Sequence, residues 1–231
     1  MKDIGDSGTK INTSPTLKTT CPELACIWEN MQGGKGLITT FVCDLFKSFE
    51  DPNDWKNVID IRAGNLSTDD KKIFGKTDIQ DGIVYIEIDK SNCGGQDKLE
   101  MFETLQHELI HAKIFNDCMN LFGFDGKTQN SLNYLNVFKK LVVSEYGTNT
   151  TTDQHKLMLD KYINDMVINL IEITKQGTYD DYIGLVLNGF PEDILWQCGY
   201  SPNYAVDKFH NYNVYKHNNS DIFNKLNTVC P

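Results

Sequence analysis

Basic charge is scarce in this chain. Its 231 residues include a single arginine, Arg62, and 22 basic against 32 acidic residues leave a net charge of −10. A chain of that sign repels phosphate backbones at long range, so no nucleic acid is expected as its main partner. Long hydrophobic runs are missing too. None approaches the ~18–20 residues of a membrane span, and there is no basic amphipathic helix, so no membrane partner is expected. The seven cysteines, at 21, 26, 43, 93, 118, 198 and 230, contain no C-x-x-C pair, which removes zinc ribbons and thioredoxin-like motifs. Cys21 and Cys26 are near enough to bridge and Cys198 could meet Cys230, but so scattered a set reads foremost as buried thiols. The opening residues lack the apolar stretch of a signal peptide. No repeat of solenoid period is visible.

What is present suits a globular domain: 40% of residues are hydrophobic and 11% aromatic, enough for a sizeable core. Residues 1–20 are polar and rich in Thr, Ser and Lys, and read as a flexible leader, with residues 21–231 as a single domain. Helices are expected over Pro22–Met31 and Leu37–Phe49. Two strands follow, Val58–Ile61 and Ile83–Asp89, the second with Val84, Ile86 and Ile88 on one face and Tyr85, Glu87 and Asp89 on the other. Asp97 and Glu100 have capping-box spacing at the start of a helix expected over Lys98–Asn116, apolar on most sides and therefore internal. Further helices are expected over Ser131–Tyr146, Asp153–Thr174, Tyr182–Asn188 and Glu192–Gln197, while Ser201–Pro231 carries no clear pattern. The fold class is α+β, a small early sheet followed mostly by helix.

The chemistry lies inside the internal helix, where His107-Glu-Leu-Ile-His111 forms H-E-x-x-H. Histidines four apart stand one above the other on a helix, so both imidazoles can reach one metal ion. Imidazole ligands favour zinc, Zn2+. Glu108, next to the first ligand, is placed to take a proton from water at the metal and hand it to a leaving amine. Burying three such polar side chains without partners would cost several kcal/mol, which argues against a merely structural helix.

Catalytic zinc usually keeps three protein ligands, so a third is needed. Asp117 is six residues after His111, but a helix that continues through Ile114 turns it some 240° away at ~100° per residue. His155 is the better candidate. At i, i+3, i+4 and i+7 it shares a helix face with Met158, Leu159 and Tyr162, so it points toward the core and the metal helix. Glu145 and Asp153 stand in reserve.

The pattern Leu105-Gln-His-Glu-Leu-Ile-His-Ala112, followed by Gln154-His155 with Met158, Tyr162 and Ile163, resembles zincin-like metallopeptidase domains. These are the domains found in Bacteroidetes secreted and cell-surface proteins, and they are loosely similar to SprT-like peptidases. The segment Tyr179–Phe190 also resembles that family, and the likeness spans Cys21–Tyr200. It implies a zincin-like fold with zinc ligands at His107, His111 and His155, Glu108 as general base, and a secreted or cell-surface setting. Genuine SprT proteins carry a cysteine-rich ribbon and act near DNA. This acidic, ribbon-free chain departs from them, which argues against a role at DNA–protein crosslinks.

Zincin peptidases usually bind substrate as an added strand at the sheet edge, and Ile83–Asp89 is the edge expected here, with Tyr85 or Glu87 at the cleft. Tyr162, His210, Tyr215 and His217 are candidates to stabilise an oxyanion. Gly94-Gly95 lacks the G-K-[ST] of a phosphate loop. The resulting expectation is a zinc-dependent metallopeptidase acting on a protein or peptide substrate. The alternatives are a catalytically inactive zinc-binding module and a toxin-like effector domain of a larger exported protein.

Overall fold

A computed structural model describes residues 11–32, 37, 39–49, 58–67, 73–93, 97–122, 124, 132–146, 153–221 and 230. Four strands, β1 (Ile11–Thr13), β2 (Val58–Gly64), β3 (Gly75–Gln80) and β4 (Ile83–Asp89), form one sheet in the order β1-β2-β4-β3. β1, β2 and β4 run parallel, and β3 is the antiparallel edge strand beyond β4. The helices are α1 (Pro15–Thr20), α2 (Pro22–Gln32), α3 (Thr40–Lys47), α4 (Lys98–Phe122), α5 (Leu132–Tyr146), α6 (Gln154–Lys161), α7 (Ile163–Thr174), α8 (Tyr179–Leu187), α9 (Glu192–Gln197) and α10 (Pro202–Asn218). The fold is α+β and mostly helical. Among the described residues no helix is long and apolar enough to cross a membrane.

Part of the expected leader is structured: β1 pairs with β2, and α1 buries Leu17 completely. Residues 1–10 of that leader lie outside the described residues, as do Gly94-Gly95. β4 is not the edge. It pairs on both sides, because Asp81 and Gly82, both at positive φ, close a tight hairpin that brings β3 alongside. Tyr85 and Glu87 point away from the site: Glu87 pairs with Arg62 at 3.1 Å, and the same guanidinium lies 4.6 Å over the Tyr85 ring.

α4 is the axis of the molecule, packed against β3, β4 and five or more helices, including α2, α5 and α7. Sixteen of its 25 residues are buried, which matches the sequence's apolar-on-most-sides pattern. Asp97 starts it by accepting from the Leu99 N–H at 2.7 Å. Glu100 does not complete the capping box, because its carboxylate turns to Lys216 on α10 at 3.0 Å. The helix continues past Asn116 to Phe122. Its buried polar side chains are tied to neighbours. The Asn169 amide of α7 donates to Gln106 at 2.6 Å, and Asn169 in turn accepts from Thr39. The helix expected over Asp153–Thr174 breaks at Tyr162 into α6 and α7. The unassigned tail contains α10, which lies on α8.

Two disulfides close the structure, Cys21–Cys93 and Cys26–Cys230. Four of the seven cysteines are thus bridged, against the expectation of mostly free buried thiols, and neither possible pairing forms, because folding brings together cysteines far apart in sequence. Cys43, Cys118 and Cys198 are outside disulfides.

Candidate metal centre

α4 and α6 bring His107, His111 and His155 to one point. The Nε2 of His111 lies 3.2 Å from that of His107 and 3.2 Å from that of His155. Two nitrogens bound tetrahedrally to zinc at about 2.05 Å stand roughly 3.3 Å apart, so the spacing fits one shared ion. One candidate ligand atom from each histidine lies within 4.8 Å of the others, and no other such group of three occurs among the described residues. Asp153 fixes the start of α6, accepting from the His155 N–H at 2.8 Å, and Met158 and Leu159 bury the face that aims His155 at α4.

The two imidazoles on α4 are held neutral, as metal ligands must be. Burial, reinforced by the neighbouring histidines, pushes His107 well below its ordinary value. Burial and His155 push His111 down to about 3, against the opposing pull of Gln154 and Asp153. The Gln154 side-chain oxygen is 2.6 Å from His111 Nδ1, and the Gln154 amide donates onward to the Tyr134 hydroxyl. With Nδ1 donating to Gln154, the His111 Nε2 lone pair is left for a metal. Phe190 packs tilted beside the site, with ring centroids 4.9 Å from His107 and 5.9 Å from His155.

Glu108 is nearly fully buried and accepts from the Thr77 hydroxyl of β3 at 2.6 Å. Burial raises its carboxyl to about 7, against the lowering effects of Thr77 and His155. A carboxyl poised there gives up and takes back a proton near neutral pH. Gly75 makes room for it, since a Cβ at that position would stand 2.9 Å from Glu108 Oε1.

Two adjoining recesses of about 820 and 410 Å³ share Gly75, Lys76, Glu108 and His155. The edge strand β3 therefore runs along a groove that passes the three histidines. Asp117 is not in the cluster; it pairs with Lys113 at 2.5 Å on its own helix. Asp153 caps α6, and Glu145 falls on α5 with its side chain outside the described residues. None of Tyr162, His210, Tyr215 and His217 lines either recess. Tyr162 packs against Phe41, Tyr215 against Tyr182, and His210 and His217 are exposed.

Sequence reasoning missed Thr77 and Tyr134, and it quoted Gln154 in the second histidine motif without giving it a role. The hairpin signal Asp81-Gly82, read backwards as well as forwards, points to a strand containing Thr77. Nothing local singles out Tyr134. No family model matches the chain, and no curated protein or solved structure matches it either.

Proposed function

We propose that the protein is a zinc-dependent metallopeptidase of the zincin type, with His107, His111 and His155 as ligands and Glu108 as general base. The observation that carries this is the convergence of three imidazole nitrogens at metal-binding spacing beside a buried carboxyl raised to about 7. When bound there, the ion supplies a Lewis acid that polarises a carbonyl and makes water more acidic. Glu108 accepts the proton of the attacking water, and Thr77 steadies the charge of the carboxylate through its hydroxyl. Glu108 then returns that proton to the departing amine nitrogen. Among the described residues β3 has a free outer edge, and an extended peptide added there would run along the groove past Glu108 and His155. The resemblance of the two histidine motifs to zincin-like domains supports the same reading. Two disulfides belong to an oxidising compartment, which supports a secreted or cell-surface setting.

The test is hydrolysis of a mixed peptide library by the zinc-loaded chain, with cleavage sites read by mass spectrometry and Glu108→Gln as control. Zinc-dependent cleavage that falls at least ~100-fold in Glu108→Gln is expected for loss of a general base. Cleavage that survives the substitution overturns the assignment of Glu108, and a zinc-loaded chain that cleaves nothing favours the binding module.

A further inference from the structure

Glu103 stands one helical turn before His107 on α4 and takes no part in the chemistry above. It is 5% exposed, and its Oε1 is buried with no hydrogen-bond partner. It lines the larger recess beside Gly189, where a Cβ would stand 3.6 Å from Glu103 Oε1 and 3.3 Å from His107 Nδ1. The other carboxylate at that end, Glu100, is already held by Lys216 at 3.0 Å. The same recess has apolar wall from Phe74, Leu185, Phe190 and Phe209, alongside polar groups that include Thr104, Asn188 and Lys76.

We propose that Glu103 is the specificity group of this cleft, recognising a lysine or arginine side chain of a bound peptide. The proposal rests on the metallopeptidase reading for its peptide ligand. A buried carboxylate without a donor is costly, and a ligand that brings its own N–H groups removes that cost. An ammonium offers three donors and a guanidinium five, each on an alkyl stem that suits apolar walls. Burial and the Glu108 and Glu100 carboxylates raise the Glu103 carboxyl well above its ordinary value, so an arriving cation favours ionisation of the group that holds it.

The test uses the zinc-loaded Glu108→Gln chain, which holds peptide without turnover, and calorimetric titration with N-acetylated peptides differing only in lysine, arginine, norleucine or glutamate at one scanned position. Lysine and arginine peptides are expected to bind at least about tenfold tighter than the norleucine peptide at one position. Adding Glu103→Gln is expected to abolish that margin while zinc content stays the same. Equal affinity for lysine and norleucine peptides, no binding of either, or a margin that survives Glu103→Gln overturns the proposal. A loss of zinc on Glu103→Gln with the margin intact also overturns it and makes Glu103 the support of His107 Nδ1. If Glu103→Gln does not fold, Glu103→Asp, which withdraws the carboxylate by one methylene, is read the same way through a reduced margin. Because affinity is measured without turnover, a chain that prefers lysine but cleaves nothing sinks the peptidase reading alone.

Discussion

At the scale of single residues, small polar contacts set the chemistry of large groups. The Thr77 hydroxyl donates to Glu108 and stabilises its charged form, opposing the burial that raises it to about 7. Thr77→Val removes that stabilisation, so the Glu108 carboxyl rises and the acid limb of the kcat/KM profile moves to higher pH. A limb that stays in place or moves down contradicts the role given to Thr77. Gln154 orients the His111 ring from the side away from the proposed metal. Gln154→Ala keeps all three ligands yet is expected to weaken zinc about 10–100-fold, measured by competition with a chelator. Asp89 is structural. Its burial alone would raise the carboxyl, but hydrogen bonds with Ser91 and Ser67 outweigh it and hold the group well below the ordinary carboxylate range. The folded value lies below the unfolded value of about 3.9, so this stability is present above pH ~4 and lost as pH falls further. Asp89→Asn, with one acceptor oxygen in place of two, is expected to cost about 1–3 kcal/mol at pH 7 and to flatten the acid limb of stability, followed by urea unfolding across pH.

At the scale of elements, the groove depends on two close approaches. Gly75 lets β3 lie against Glu108, and Gly184 lets α8 lie against α10, where a Cβ would fall 2.1 Å from the Lys208 backbone carbonyl. Backbone cannot swing aside as a side chain does. Gly184→Ala is therefore expected to destabilise by about 1–3 kcal/mol, seen as a lower thermal midpoint with zinc binding retained. What was legible in the sequence follows from which elements declare themselves locally. Asp97 and the internal apolar pattern announce α4, and His155 with Met158 and Leu159 announces the face of α6. β3 has only Thr77 and Ile79 buried in six residues, and it is a strand because β4 pairs with it. α10 buries only Tyr212, so its sequence lacks the stripe that packing on α8 would otherwise have imprinted.

At the scale of the whole molecule, the two disulfides join segments that the sequence keeps far apart. Cys26–Cys230 spans 204 residues and Cys21–Cys93 spans 72, distances at which pairing is set by tertiary proximity and leaves no trace in spacing. Replacing both Cys26 and Cys230 by serine is expected to cost about 2–4 kcal/mol, read by scanning calorimetry, with an unchanged thermal midpoint contradicting the bridge. The proposed metal would join α4 to α6 in the same way, so the whole account turns on whether one ion is held by three histidines. The direct measurement is elemental analysis of the native chain and of His155→Ala, each dialysed against a weak chelator. One zinc per native chain, lost or greatly reduced in His155→Ala, is the expected result. No zinc in the native chain even after reconstitution would contradict the metallopeptidase reading, and full zinc in His155→Ala would contradict the three-histidine centre.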